Sequence, residues 1–312
     1  MTHKHIPFGF LVTLCLAMSV VFFGCAGPKR ARPTRSDRAL AEAAAAARTA
    51  FGQDRIDQAA ALYKVALKRA RALDKPSAIG EAAYNLSACL LRLHQYDRAR
   101  VLLAEARHEL ARSDSPLADV LILQARAAHL AGDNSEVGAF IHQLREDPRA
   151  KPSAVHLCQA AVLEGQIACD DQDWVLATNL LQQAVDLLGL ETDNLLQAQL
   201  TGLKARIAMG TRDFRTAAES WERQADLLRD AHQYRALSAV LAHAGDARAK
   251  LNEHRLAADR LYRAARCAAG WGETASATEW ASAALAAARQ ADDAILTKLA
   301  QSLLTEFSDD LP

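Results

Sequence analysis

The sequence predicts an all-α solenoid in which helical hairpins are stacked in line, with about six to seven repeats. The first observation is a pattern of a bulky residue, an alanine, a second bulky residue and a second alanine. Its four complete copies are Ile56, Ala59, Tyr63 and Ala66; Tyr96, Ala99, Leu103 and Ala106; Trp174, Ala177, Leu181 and Ala184; and His254, Ala257, Leu261 and Ala264. The second observation is the period of the pattern, about 40 residues, which is typical of a solenoid. The third is a short polar turn before each copy.

Each copy is predicted to form the second helix of a hairpin. The four positions of a copy fall on one face of a helix, because successive positions are three or four residues apart. The alanines let a neighbouring helix approach closely, since axes about 8–10 Å apart need small side chains at the contact. Phe214, Ala217 and Trp221 make a fifth copy, in which Gln224 replaces the last alanine. Apolar-periodic segments before the turns are predicted to be the first helices.

Proline and clusters of Asp or Ser mark the predicted boundaries between hairpins. They lie at residues 74–76, 113–116, 147–152 and 191–194, and such residues stop and start helices. The third period, residues 116–147, is expected to be degenerate. Ser135, Gly138, His142 and Arg145 occupy the positions where the pattern is expected there.

This arrangement resembles the tetratricopeptide repeat (TPR) family, in a variety with repeats of about 40 residues. The resemblance covers residues 40–290 and implies a superhelix whose concave side is lined by the first helix of each pair. The usual repeat of the family has about 34 residues, so the helices or connections are expected to be longer here. A HEAT-like array, with a period of about 40–47 residues, remains an alternative. In a solenoid, repeats that are not adjacent are expected to make no contact with one another.

The N-terminus is predicted to be a targeting segment. An apolar run follows a weakly basic start and ends at Gly24, which is the order of a secretory signal. Because a cysteine comes next, the segment also resembles a bacterial lipoprotein signal. That resemblance implies cleavage after Gly24 and lipidation of Cys25, and since Gly27 is not aspartate it favours the outer membrane. Phe22 and Phe23 depart from the usual lipoprotein residues, and an uncleaved membrane anchor or a cleaved soluble periplasmic protein remain alternatives.

The chain is therefore predicted to have four segments. Residues 1–24 are a signal peptide of the lipoprotein type, and residues 25–38 are the lipidated cysteine and a basic flexible tether. Residues 39–290 are the repeats, and residues 291–312 are a C-terminal capping helix and tail. The tether has five basic residues and one acidic residue between positions 28 and 38. It is expected to be a solvated spacer or to be attracted to anionic lipid headgroups.

Composition and motifs argue against several classes of function. The net charge is zero and the pI is about 7.1, so a strongly basic face for nucleic acid is not indicated. The sequence has no HExxH, CxxC or GxSxG motif and no glycine-rich phosphate loop. We therefore predict no enzymatic activity, no metal and no cofactor.

The concave side that the resemblance implies is expected to bind a protein or peptide partner. Polar residues among apolar ones on the first helices suit an extended peptide or an amphipathic helix. The predicted groove residues are Tyr84, Asn85, Arg92, Gln124, Gln159, Gln166, Arg206, His243 and Asp246. Some family members hold a terminal carboxylate with a set of Lys, Asn and Arg. That set is not matched here, because only Asn85 and Arg92 are suggestive and the lysines are missing.

The sequence thus favours a lipid-anchored scaffold in the bacterial cell envelope, facing the periplasm and binding a protein or peptide. One alternative is a structural or assembly component of a pilus, a secretion system or an outer-membrane machine. A second alternative is a cytoplasmic regulatory protein whose N-terminus only resembles a signal.

Overall fold

The structure, a computed structural model, describes residues 35–189 and 193–309. The predicted signal peptide, Cys25 and most of the tether lie outside the described residues. Within them the chain forms fourteen α-helices and no strand. The helices are α1 (Arg35–Gly52), α2 (Ile56–Ala72), α3 (Pro76–Arg92), α4 (Tyr96–Arg112), α5 (Ala118–Leu130), α6 (Asn134–Glu146), α7 (Ala154–Asp170), α8 (Trp174–Leu188), α9 (Asn194–Gly210), α10 (Phe214–Asp230), α11 (Tyr234–Lys250), α12 (His254–Gly270), α13 (Thr274–Gln290) and α14 (Ala294–Asp309).

The helices pack as consecutive pairs, from α1 with α2 to α13 with α14. Each helix makes most of its contacts with its neighbours in the chain, so the core runs as a narrow layer along the array. This arrangement confirms the predicted all-α solenoid of helical hairpins. We number the hairpins one to seven, and we refer to the first and second helix of each.

A turn of one type ends eleven of the described helices. Its characteristic residue has a positive φ, and we call it the turn residue; these are Asp54, Asp74, His94, Asp114, Gly132, Gln172, Arg212, His232, Asn252, Gly272 and Asp292. The residue that follows donates its N–H to a carbonyl five positions back, as Gln95 N does to Leu90 O at 2.9 Å. This is the hydrogen bond of a Schellman C-cap. A helix and its turn together take about twenty residues, and two of them make the repeat.

Small side chains occur where the two helices of a hairpin meet. In the second helices, the alanines five positions after the turn residue are fully buried: Ala59, Ala99, Ala177, Ala217 and Ala257. In the first helices, seven positions before the turn residue, the side chains are small: Ala47, Ser87, Ala125, Gly165, Ala205 and Gly245. A Cβ added at Gly245 would lie 2.7 Å from Leu261 Cγ and 3.3 Å from Ala257 O. The predicted reason for the alanines, close approach of the helices, therefore holds.

The third hairpin carries the pattern one residue earlier than expected. Val137, Ile141 and Leu144 are at most 1% exposed, whereas the predicted positions, such as Gly138 and His142, are exposed. The register shifts because α5 has 13 residues where most first helices have 17. The positions predicted for this hairpin were therefore wrong by one residue.

The array ends at α14, which packs against α13 and also contacts α12. Its inward side chains include Ala300 and Leu303, which are buried, while Ile295 is 74% exposed. None of the helices over residues 35–189 and 193–309 combines the length and the apolar character that crossing a membrane requires.

Replacing Arg212 by glycine is expected to stabilise the protein. Arg212 has a φ of 64°, a conformation that costs a residue with a Cβ about 1–2 kcal/mol. The greater freedom of glycine in the unfolded chain offsets part of that cost. We expect the free energy of unfolding to rise by about 0.5–1 kcal/mol, measured by urea denaturation followed by circular dichroism. The reciprocal change Gly272→Arg should lower it, since Gly272 has a φ of 75°. A loss of stability in Arg212→Gly would contradict this account.

Candidate functional site

The first helices line one side of the array, which we call the inner face. In the middle of the array the first helices of successive hairpins contact one another, α3 with α5, α5 with α7 and α7 with α9. In a curved stack, the elements that approach their next-but-one neighbours lie on the inside of the curve. Side chains two, six, nine, ten and thirteen positions before the turn residue share one face of a helix. This is the face on which Arg206 of α9 reaches Asp170 of α7, and it is the inner face.

Eight of the nine predicted groove residues occupy these positions. They are Tyr84, Asn85, Arg92, Gln159, Gln166, Arg206, His243 and Asp246. His243 and Asp246 are exposed, and the other six are partly exposed. The structure therefore brings the predicted residues to one side of the array, in successive hairpins. It does not gather them into a single pocket.

Gln124 is the exception, because it lies eight positions before the turn residue Gly132. It is 8% exposed, and its Oε1 is buried with no hydrogen-bond partner among the described residues. Its placement in the groove was therefore wrong. The inner-face residue of α5 is Arg126, six positions before Gly132, which is exposed. Counting back from Gly132 would have found it, since the short α5 breaks the forty-residue period.

Arg206 is held by an ion pair between adjacent hairpins. Its Nη2 lies 2.7 Å from Asp170 Oδ1, and its Nη1 donates to Gln166 O at 3.5 Å. Asp170 lies two positions before its turn residue, Gln172, and Arg206 lies six positions before its own, Arg212. Both are on the inner face. These two positions of neighbouring hairpins therefore come within hydrogen-bonding distance.

The same two positions hold two arginines at the junction of hairpins two and three. Arg92 stands where Asp170 does, and Arg126 stands where Arg206 does. Arg92 turns to Asp54, with 2.5 Å between its Nη2 and Asp54 Oδ1. Burial lowers the pKa of Arg126, and the charge of Arg92 lowers it further. Although neighbouring groups desolvate its charge, the Arg126 side chain is exposed to solvent, so a ligand in the groove can reach it.

Tyr84 and Asn85 lie on α3 beside these arginines. Burial raises the pKa of Tyr84 to about 12, with a further contribution from Asp119 and an opposing one from Arg126. Asn85 uses its Nδ2 to donate to Glu81 O at 2.8 Å. Tyr84 is therefore a neutral hydroxyl at physiological pH, and Asn85 has its amide oxygen available as an acceptor.

His243 and Asp246 form the inner face of α11. The His243 ring stacks on Trp221 of α10, with ring centroids 5.2 Å apart and an interplanar angle of 28°. Burial lowers the pKa of His243, against the effect of Asp246, and the Arg206 charge lowers it further. Burial also raises the pKa of Asp246, with Glu279 adding to the shift while His243 and Lys250 oppose it. Burial therefore disfavours the charged forms of both His243 and Asp246.

The two ends of the array approach each other, which was not expected. Arg235 Nη2, at the start of α11, lies 3.8 Å from Asp57 Oδ2 of α2, and its guanidinium lies over the Trp271 ring, 5.2 Å from the centroid. The expectation that non-adjacent repeats make no contact is therefore wrong at this point. The small rotation from each hairpin to the next adds up along the array until hairpin six faces hairpin one.

A hydrogen-bonded chain of Ser153, His156 and Asp119 has a structural role. Ser153 N donates to His156 Nδ1 at 3.0 Å, and the Ser153 hydroxyl lies 2.8 Å from the same nitrogen. His156 Nε2 lies 3.1 Å from Asp119 Oδ1. Ser153 is the N-cap of α7, and with His156 it forms a capping box. The chain thus fixes the start of α7 against α5. Across the described part of the sequence, no group of three or more His, Cys, Asp or Glu side chains is placed to hold a metal ion.

The chain is a helical repeat protein, and solved structures similar to it include TPR proteins. No protein-family model matches it, and no curated protein is significantly similar to it. One similar structure is the C-terminal part of a TPR repeat-containing protein from Cytophaga hutchinsonii (11% identity, TM-score 0.43, 85% of this chain and 95% of that one). A second is the TPR2AB domain of yeast Sti1 in complex with pHSP90 (13%, 0.31, 86% and 98%). A third is BtubC from P. vanneervenii (14%, 0.44, 77% and 93%). No TM-score among these three reaches 0.5, and at these identities the likeness is one of fold alone.

Proposed function

We propose that this protein is a lipid-anchored scaffold that faces the periplasm and holds a protein or peptide partner on its inner face, without catalysing a reaction. The observation that carries the proposal is the inner face itself, where partly exposed polar side chains recur in successive hairpins. A surface that repeats in this way suits an extended segment that contacts several hairpins in turn.

The chemistry of the inner face supports a peptide ligand. Gln159 and Gln166 offer amide donors and acceptors for a peptide backbone, and they are partly exposed. His243 is exposed and fixed by its stacking on Trp221. Groups that packing already holds in place lose little freedom when a partner binds, which favours affinity.

The lipid anchor rests on the N-terminal sequence and has a direct test. We expect the protein expressed from its full-length gene to begin at Cys25, to be heavier than that polypeptide by several acyl chains, and to fractionate with the outer membrane. Several chains give stable anchoring, whereas a single chain gives only marginal binding. Cys25→Ala should lose both the added mass and the fractionation with the outer membrane. A full-length species that begins at Met1 would contradict the anchor.

Partner binding is tested in the native envelope. After mild chemical cross-linking and solubilisation in detergent, affinity purification of the tagged protein should recover one protein partner in a stoichiometric amount. The matched control is the same purification from cells that carry the tag on an unrelated lipoprotein. Recovery of no specific partner would contradict the scaffold.

A role as an assembly component is the second candidate, and exposed apolar residues on α8 favour it. Val175, Leu176 and Val185 are 74%, 47% and 46% exposed, and Asp186 is the only charged residue of that helix. Sedimentation of the purified protein tests this role. Ring-like oligomers would support it, and a strict monomer would count against it.

A further inference from the structure

Three arginines from distant parts of the sequence lie where hairpin six approaches the first hairpins of the array. Arg92 comes from α3, Arg126 from α5 and Arg235 from α11, and we call them the arginine cluster. Burial lowers the pKa of Arg92, and the charge of Arg235 lowers it further, against the effect of Asp54. Burial also lowers the pKa of Arg126, with a further contribution from Arg92, so Arg92 is the member of the cluster that interacts with both others. Like charges at short range destabilise the unliganded protein.

At another junction of the array, an arginine at the position equivalent to Arg126 pairs with an aspartate of the protein itself. Asp170 and Arg206 occupy the same two positions at the junction of hairpins four and five, and they form an ion pair of 2.7 Å. At the junction of hairpins two and three, Arg92 replaces the acid. No described residue forms an ion pair or a hydrogen bond with Arg126. The guanidinium of Arg126 is therefore left where an anion from outside the protein can take the place of the missing aspartate.

Hydrogen-bonding capacity in the cluster is also unused. Arg92 Nη1 and Arg235 Nε are buried and have no partner among the described residues, and Asp54 Oδ2 is a buried acceptor that also has none. Asp54 pairs with Arg92, and Asp57 lies 3.8 Å from Arg235. Three positive and two negative groups leave a net charge of +1. Unpartnered buried groups are costly, and with two unpartnered donors against one unpartnered acceptor the cluster has a surplus of donors that favours an oxyanion.

Aromatic rings hold two of the guanidinium groups in place. The Arg92 guanidinium lies 5.4 Å from the centroid of the Phe51 ring, and that of Arg235 lies 5.2 Å from the centroid of the Trp271 ring. Stacking on a ring fixes the plane of each guanidinium, and the N–H groups that recognise a planar carboxylate lie in that plane. The cluster is therefore preorganised for a carboxylate.

We propose that the arginine cluster binds a carboxylate of an acidic segment of the partner, so that this segment bridges hairpins two and three to hairpin six. The proposal rests on the scaffold function above and specifies the chemistry of its partner. Arginine and carboxylate pair through two parallel hydrogen bonds, which gives both strength and orientation. Because Arg235 comes from the far end of the array, the bound segment also fastens the contact between the two ends.

The test measures binding of a fluorescein-labelled decapeptide of alternating Glu and Ala, by fluorescence anisotropy with the purified chain. A peptide with Gln in place of Glu is the uncharged comparison. We expect the Glu peptide to bind and the Gln peptide to bind at least about tenfold more weakly, as loss of charged hydrogen bonds implies. Arg126→Asp should weaken the Glu peptide by a similar factor. The thermal midpoint of the Arg126→Asp protein should be unchanged or higher than that of the wild type, because the new aspartate can pair with Arg92 as Asp170 pairs with Arg206.

Arg126→Gln removes the charge without adding an acid, and it should also weaken binding of the Glu peptide. It replaces Arg126→Asp in the test if Arg126→Asp proves unstable. The matched control is Arg223→Asp. Arg223 is exposed on the second helix α10. The same charge change there should alter the affinity for the Glu peptide by no more than about twofold, because salt screens exposed charges that are far from the ligand. Equal binding of the Glu peptide by wild type and both Arg126 variants would overturn the proposal, and so would no binding by wild type.

Two further outcomes separate the possible ligands. If inorganic phosphate binds as tightly as the Glu peptide, the occupant is a free anion and the acidic segment is wrong. If a partner captured from the envelope binds Arg126→Asp as well as it binds wild type, the inference fails while the scaffold stands. If the Glu peptide binds through Arg126 but no partner is recovered from the envelope, the scaffold fails while the carboxylate site stands.

Discussion

Trp221→Ala is expected to lower the free energy of unfolding by about 3–5 kcal/mol, the range for removing a buried aromatic side chain. Trp221 is 5% exposed and lies in the core that α9, α10 and α11 share. It stands nine positions after its turn residue, where other hairpins place Tyr63, Leu103 and Leu261. Its loss leaves a cavity between hairpins five and six and removes the support of the His243 ring.

The control for this change comes from the array itself. Because leucine fills the same position in hairpins two and six, Trp221→Leu should cost clearly less than Trp221→Ala. Each hairpin is stabilised mainly by its neighbours, so the loss should be local. Hydrogen exchange should quicken in α9, α10 and α11 while α3 and α4 keep their protection. Uniform quickening along the array, or equal losses in both variants, would contradict this account of the core.

Ala99→Leu is expected to lower the free energy of unfolding by about 1–3 kcal/mol through overpacking. Ala99 is fully buried in α4. The two helices of this hairpin are already close, since a Cβ added at Gly80 of α3 would lie 3.2 Å from Ala106 O. A leucine at position 99 must push α4 away from α3 or adopt a strained rotamer.

Ala104→Leu is the matched control, because Ala104 lies on the exposed side of the same helix. It should change the free energy of unfolding by no more than about 0.5 kcal/mol. Urea denaturation of both variants measures the difference. Equal effects at the two positions would mean that the alanine pattern does not reflect close packing.

The sequence was sufficient to predict the fold because the packing rule repeats. Each copy of the pattern has a small residue where two helices cross and a bulky residue one turn further on. Because the copies recur about every forty residues, the pattern identifies the repeat. The register of the third hairpin is not predicted by this rule, because its first helix has 13 residues where α3 has 17. Gly132 marks the true register there, since a glycine with positive φ ends the helix whatever its length.

The inner face was only partly predictable. Residues in one helix keep their spacing, so most predicted groove residues share the inner face. The forty-residue period places Gln124 rather than Arg126 on the inner face, because the period does not account for the shifted register in α5. The contact of Arg235 with Asp57 could not be foreseen, because it depends on many small rotations between hairpins that no local pattern encodes. The arginine cluster is visible only after the array has curved.

Site-specific photo-crosslinking tests the central claim, that the partner binds the inner face. A photoreactive amino acid is placed at Gln166 on the first helix α7, or at Gln183 on the second helix α8 of the same hairpin, which is exposed. After irradiation of intact cells, we predict that the partner is crosslinked from position 166 and not from position 183. Crosslinking from position 183 alone would contradict the claim and would place the interaction surface on α8.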